Sequence, residues 1–279
     1  MNSPTGKVDL MSRPWKIAAL ALPLVLAAGV AVAADVTPPD SIAKAGKIVF
    51  CSDISGPPLE YFDANNVAVG SDIDIGKALA KLMGVKAEFK NTAFSAIIPS
   101  LQARQCDAIL SQLFDKPARR EVVDFVDYMY SSQSFLVPKG NPKHIEGLAD
   151  ISGLKIAVEN GTTIQSLIEE QNKKFKAEGK PEATAVVYPK DSDARQALQA
   201  GQVDAYGTTL ESAAFFLKQA GQVFDIGGPP FNKITAGIAT RKDDAALHDA
   251  LQKAFDMMKA DGSYKKILDN WGLGGDAME

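Results

Sequence analysis

Residues 101–108 read LQARQCDA and residues 198–205 read LQAGQVDA, identical at six of eight positions. Each copy joins a helix-like segment to a strand-like one. A weaker echo sets Lys47-Ile48-Val49 against Lys155-Ile156-Ala157. An α/β unit that occurs twice in one chain implies two similar lobes rather than one long sheet. Around both copies, strand and helix patterns alternate as they do in parallel sheets.

In the first half, strands are expected at Lys47 to Cys51, Val85 to Lys90 and Asp107 to Leu110, with helices over Asp72 to Met83 and Ala96 to Ala103. Ser52-Asp53 and the Gly56-Pro57-Pro58 loop follow the first strand, and Gly84 stops the first helix. The second half repeats the pattern: strands at 154–158, 184–188 and 203–206, with helices from about Thr163 to Glu178, Ser192 to Ala200 and Thr209 to Ala220. Extended segments at Gln133 to Pro138 and near Thr235 to Thr240 cross between the halves. Leu247, Leu251, Phe255 and Met258, at helical spacing, mark a closing amphipathic helix packed on the core.

The N-terminus has Lys7, Arg13 and Lys16, an apolar run from Ile17 to Val30 broken by Pro23, and Ala31-Val32-Ala33 before Ala34. That order is expected of a cleaved secretory leader over residues 1–33, with Met11 an alternative start, and not of a membrane span. Removing Lys7, Arg13, Lys16 and Asp9 from 30 basic and 34 acidic residues leaves 27 against 33, a net charge of −6. An acidic surface of this kind favours solubility and excludes a basic nucleic-acid footprint. His144 and His248 stand far apart and there is no cysteine cluster, so neither a metal site nor a cofactor is expected. Cys51 and Cys106 lie in strand patterns where free thiols pack as small apolar residues, and this is favoured over a disulfide. In the repeat, Cys106 stands opposite Val203.

The stretch Asp107 to Tyr130 points most directly to chemistry. Ala108-Ile109-Leu110 reads as a buried strand that empties into Ser111-Gln112, and strand ends of this kind hold ligands in open α/β sheets. After a turn at Asp115-Lys116-Pro117 come Arg119 and Arg120. A guanidinium at a strand mouth is a two-pronged partner for a carboxylate, whereas a solvated arginine pair is the plain alternative.

Pro57-Pro58, Gly70-Ser71-Asp72-Ile73-Asp74, Phe94, Ile98-Pro99-Ser100-Leu101, Asp107-Ala108-Ile109, Arg119, Asp124-Phe125, Tyr130, Gly161-Thr162-Thr163 and Asp261-Gly262-Ser263-Tyr264 occur in this order. The series resembles the family-3 extracellular solute-binding proteins, the polar amino-acid binders of bacterial ABC importers, from about Lys47 to Leu273. The resemblance implies a type II periplasmic-binding-protein fold: α/β, two-lobed, with two crossover strands. It implies one lobe over 41–132 with 236–279, a second over 133–235, and a ligand held between them. Its partners would be a small amino acid or related carboxylate and an inner-membrane permease, with the protein itself a periplasmic monomer.

Carried over residue by residue, Arg119 is similar to the arginine that clamps the α-carboxylate, and Thr162 and Thr163 to the second-lobe turn completing that site. Ser111 and Gln112 match the polar pair after the strand, Phe94 an aromatic packed on the ligand, and Asp53 a carboxylate that meets a basic side chain or, equally, a turn cap. The chain departs from the pattern in three places. Gly56 replaces a stacking aromatic, Phe114 stands where a hydroxyl residue is usual, and Thr209 stands where an aspartate would meet the ammonium. Glu211 is two residues beyond. The carboxylate end is thus intact and the amine end altered, which leaves an amino acid, an amino-acid derivative or another small carboxylate as ligand. An enzyme similar to cyclohexadienyl dehydratase is the alternative, with Asp53, Glu60 or Glu211 as acid, but the sequence shows no pair set for proton transfer. A carrier serving a chemoreceptor as well as a transporter would look the same.

Overall fold

The computed structural model describes residues 1–3, 6 and 35–278. The apolar leader segment and the cleavage point before Ala34 lie outside the described residues. The first half runs α1 (Asp40–Ala45), β1 (Lys47–Ser52), β2 (Ser55–Gly56), β3 (Glu60–Phe62), β4 (Ala68–Val69), α2 (Ser71–Leu82), β5 (Lys86–Asn91), α3 (Ile97–Gln102), β6 (Ala108–Ile109) and α4 (Pro117–Arg120). A 16-residue strand, β7 (Val123–Pro138), leads out of it. The second half runs β8 (Lys155–Glu159), α5 (Thr163–Ala177), β9 (Thr184–Tyr188), α6 (Asp191–Gln199), β10 (Ala205–Thr209), α7 (Leu210–Ala220) and β11 (Phe224–Ile226). β12 (Phe231–Arg241) returns, and α8 (Ala245–Ala260) and α9 (Ser263–Trp271) close the chain.

Among the described residues, nine strands join in one sheet of order β5-β1-β6-β12-β7-β10-β8-β9, with β11 paired to β7. β7 and β12 are antiparallel over most of their length, from Thr235↔Tyr130 to Arg241↔Val123. Flanking them are two parallel triplets, β5-β1-β6 and β9-β8-β10. In each triplet the first strand in sequence lies in the middle, the second outside and the third against the central pair. The two copies of the repeated octapeptide therefore occupy equivalent places, leading from α3 into β6 and from α6 into β10.

Among the described residues, four apolar clusters fill the interior, and none joins residues 36–129 to residues 135–231. Two draw on residues 36–129 and 234–277, around Phe50, Leu79, Tyr128, Leu251 and Leu101. The other two draw on residues 135–231, around Phe135, Ile156, Ile168, Tyr206 and Phe216. The helices follow their apolar periodicity. α8 buries Leu247, Leu251, Phe255 and Met258, and α5 buries Ile164, Ile168 and Phe175. Each such side chain contributes about 1.5–3 kcal/mol on leaving water.

The structure differs from sequence expectation in several places. The Gly56-Pro57-Pro58 loop lies within a small three-stranded sheet, β2-β3-β4, too short for a periodic signal. The expected extended segment at Gln133 to Pro138 is the second half of one long strand, and the strand expected over 203–206 lies at Ala205–Thr209. The expectation of free thiols is overturned: Cys51 and Cys106 form a disulfide, with Cα atoms 5.6 Å apart. Both residues are buried, as expected, but burial does not distinguish a thiol from a disulfide. Adjacency does: β1 pairs with β6, and Asp107 N donates to Val49 O at 2.8 Å, which brings residue 106 alongside residue 51.

Candidate functional site

The parallel strands of both triplets end on the same cleft, as the geometry of open α/β sheets requires of a ligand site. Asp53 follows β1, Ser111 and Gln112 follow β6, Glu159 ends β8, and Thr208 and Thr209 end β10. Asp53, Phe94, Ser111, Gln112, Phe114, Arg119, Thr162, Thr163 and Thr209, the residues singled out from the sequence, all line one cavity. It encloses about 590 Å³, mouth included.

Arg119 is set by one helical turn, α4, which Pro117 starts. It is 9% exposed. Its Nη1 donates to Phe114 O at 2.9 Å, its Nη2 to Gly161 O at 3.4 Å, and its guanidinium lies 5.5 Å from the Phe94 ring centroid. Among the described residues it has no ion-pair partner, and burial pulls its pKa down to about 10, so it remains a cation at neutral pH. Facing it is the N-terminus of α5, 15 residues long, with Thr162 as N-cap. Thr162 Oγ1 donates to Glu159 O at 2.7 Å, and the buried Thr163 Oγ1 has no partner. A buried guanidinium, a free hydroxyl and a helix N-terminus facing one space are groups with the chemistry to hold an anion. Arg120, its neighbour, turns outward onto Asp115 and Asp127.

The polar pair after β6 is largely engaged in holding the wall. Ser111 Oγ accepts from Asp53 N and donates to Glu60 Oε1, both at 2.9 Å. Gln112 has φ +41°. Its N donates to Asp72 Oδ2 at 3.0 Å, and its Nε2 donates to Ser131 Oγ and Glu211 Oε2, both at 3.1 Å. Glu211 therefore turns toward the central strands rather than into the cavity, and burial pushes it up to about 7. Thr209 caps α7, its hydroxyl accepting from Ser212 N at 3.4 Å. Gln133, buried beside it in the wall, leaves Nε2 without a partner. Phe114 is buried in the first-half core at the cavity edge, and Gly56 is open toward Glu60.

Sequence reading missed two acids of the wall, Glu159 and Asp191, and underweighted a third, Glu60. Glu159 was hidden in a strand and Asp191 in the first turn of α6, where an acid reads as a helix-start residue. Glu159 Oε1 accepts from Asp191 N at 3.1 Å, and Asp191 Oδ1 accepts from the Tyr206 hydroxyl. Phe94 N donates to Asp53 Oδ2 at 2.7 Å. Burial is the first cause that raises Asp53, holds Glu60 well above the carboxylate range, lifts Asp191 to about 7 and lifts Glu159 to about 10. Among the described residues no group of His, Cys, Asp and Glu is arranged to hold a metal ion.

The two halves meet across the cleft. Besides Arg119 to Gly161 and Gln112 to Glu211, Ser212 Oγ donates to Pro57 O at 2.9 Å and Asp191 N to Ser55 Oγ at 3.3 Å. Tyr61 of β3 packs on Phe215 of α7 with ring centroids 5.6 Å apart.

Comparison with known proteins agrees with this architecture. The profile of bacterial extracellular solute-binding proteins, family 3, matches residues 48–274. The chain is 35% identical over 82% of its length to ABC transporter arginine-binding protein 1 of Escherichia coli K12, covering 92% of that protein. It is 33% identical over 89% of its length to the histidine-binding periplasmic protein of Salmonella typhimurium, covering 94% of it. The crystal structure of an ancestral amino acid-binding protein, a precursor of cyclohexadienyl dehydratase, superposes with a TM-score of 0.76 at 32% identity, over 83% of this chain and 98% of that one. The two parallel triplets joined by β7 and β12 are thus the two-lobed type II periplasmic-binding-protein fold, and the chain belongs to the bacterial extracellular solute-binding proteins, family 3.

Proposed function

We propose that this protein is the periplasmic substrate-binding component of an ABC importer, and that it closes two lobes on a small amino acid or amino-acid derivative. The observation that carries the reading is Arg119: a buried guanidinium without an ion-pair partner among the described residues, stacked on Phe94 and facing the start of α5. A buried charge of this kind calls for a counter-ion, and a ligand carboxylate supplies it. The lobes are 41–132 with 236–279, and 133–235, a division supported by the apolar clusters, which break between 129 and 135 and again between 231 and 234. A ligand gripped from both lobes favours the closed state by its extra affinity for that state. The remaining partner is the permease that receives the ligand.

A thermal-shift screen of ligand-stripped protein tests this. A ligand at about a hundred times its dissociation constant adds roughly 2.7 kcal/mol to the stability. Amino acids are expected to raise Tm and their decarboxylated analogues are not. A shift from deaminated or dicarboxylate compounds alone would show that Thr209 has retuned the site to plain carboxylates. One observation favours a catalytic reading: the buried, proton-holding Glu159 is in the state a general acid requires. Turnover of prephenate or arogenate by the purified protein would decide for that reading.

A further inference from the structure

Three residues of α7 reach the first lobe directly. Glu211 and Phe215 stand one helical turn apart with Ser212 beside them, so the three share one stripe of the helix. Glu211 Oε2 accepts from Gln112 Nε2 at 3.1 Å, Ser212 Oγ donates to Pro57 O at 2.9 Å, and the Phe215 ring lies 5.6 Å from the Tyr61 ring between centroids. Tyr61 is in the small sheet β2-β3-β4 and Pro57 in its first loop, and Trp271 of α9 backs Tyr61 with ring centroids 6.2 Å apart. Glu211 and Phe215 lie outside the wall of the cavity and, with Trp271 and Asp276, line a separate groove. These contacts form only where the lobes meet, so they favour closed lobes whichever ligand the cavity holds.

Resting on the reading that two lobes close on a ligand, we propose that this stripe of α7 is a latch whose closing takes up a proton on Glu211, so that the ligand-free protein is already closed part of the time and closes further as pH falls. Glu211 is 4% exposed and its Oε1 has no partner. Among the described residues its Oε2 accepts hydrogens from Gln112 and Ser131 rather than from a cation. Opening takes Gln112 away and admits water, whereas closing desolvates the carboxyl and favours its protonated form. Asp276 of the C-terminal segment faces Glu211 and adds repulsion, and Lys233 of β12 acts in turn on Asp276. Lys218 of α7 and Asp269 of α9 stand in the same groove, where Lys265 holds Asp269, and Asp72 and Tyr128 lie beyond Gln112. A carboxyl that binds its proton more firmly in the closed state draws the lobes together as protons become available.

Small-angle X-ray scattering of the ligand-stripped protein reads the latch without any ligand. The radius of gyration is expected to fall between about pH 8 and about pH 5.5, and Glu211→Gln, which keeps an acceptor for Gln112 but does not titrate, is expected to reduce that fall at least about twofold. Phe215→Leu, which removes the ring contact, is expected to raise the radius at both pH values, and Tyr61→Leu, which removes it from the opposite lobe, to do the same. In calorimetry both variants are expected to weaken L-arginine and L-glutamine by one common factor, about fivefold, the worth of an aromatic pair. A ligand-free radius unmoved by both variants would overturn the latch. Unequal losses for the two amino acids would overturn it as well, since the ring pair would then act through ligand contact and not through closure. A pH response in Glu211→Gln as large as in the wild type would strike out the proton. If neither amino acid binds, the amino-acid reading fails, and the scattering still decides the latch.

Discussion

Arg119 and Arg120 are adjacent in sequence and opposite in circumstance. Arg119 lies inward on two carbonyl oxygens and the Phe94 ring, whereas Arg120 pairs with Asp115 and Asp127, and its side chain is 53% exposed. An exposed pair of this kind contributes about 0–1 kcal/mol, and a buried charge that meets a ligand carboxylate contributes about 2–5 kcal/mol. Arg119→Ala is therefore expected to weaken ligand binding at least about 30-fold, and Arg120→Ala to leave it nearly unchanged. Comparable losses in the two variants by calorimetry would remove Arg119 from the site. The family pattern made Arg119 legible from sequence, because its motif runs on through Asp124-Phe125. Glu159 and Asp191 carried no such signal. They are brought into the cavity wall beside Asp53, more than 100 residues away in sequence.

At the scale of elements, β1 and the approach to β6 are joined by the Cys51–Cys106 bond across a sequence separation of 55. Closing a loop of that length in the unfolded chain is worth about 4 kcal/mol in the chain-entropy account. Replacing both cysteines with alanine is expected to lower Tm by on the order of 10 °C, read by thermal denaturation of the ligand-free protein. An unchanged Tm would show that the bond contributes little. Long elements were legible beforehand: α2 and α8 lie where their apolar faces placed them, and α5 follows the Gly161-Thr162-Thr163 turn. β2, β3, β4 and β11 were not, since strands of two or three residues have no period to read.

At the scale of the whole molecule, buried acids in and behind the cleft wall set the pH response. Burial raises Asp72 to about 6, and Asp191 and Glu211 to about 7, from ordinary carboxyl values of 3.8 to 4.5. Between those limits the folded chain holds protons that the unfolded chain has released, so stability falls as pH rises through about 4 to 7. The ligand-free protein is thus expected to melt higher at pH 5 than at pH 7.5, and Glu211→Gln is expected to flatten part of that slope. A Tm that climbs steadily from pH 5 to pH 7.5 would contradict the burial of these acids.

The sequence alone determined the α/β class and the doubling of the unit, and it singled out Arg119, which lines the cavity. Each is written locally, in periodicity, in a repeated octapeptide or in a motif around a strand end. Tertiary structure decided what depends on approach. It brought Cys51 to Cys106 by pairing β1 with β6, turned Glu211 away from the cavity toward Ser131, and set Glu159 and Asp191 against Asp53. These relations join residues on separate strands and lobes, where no spacing along the chain encodes a distance in space.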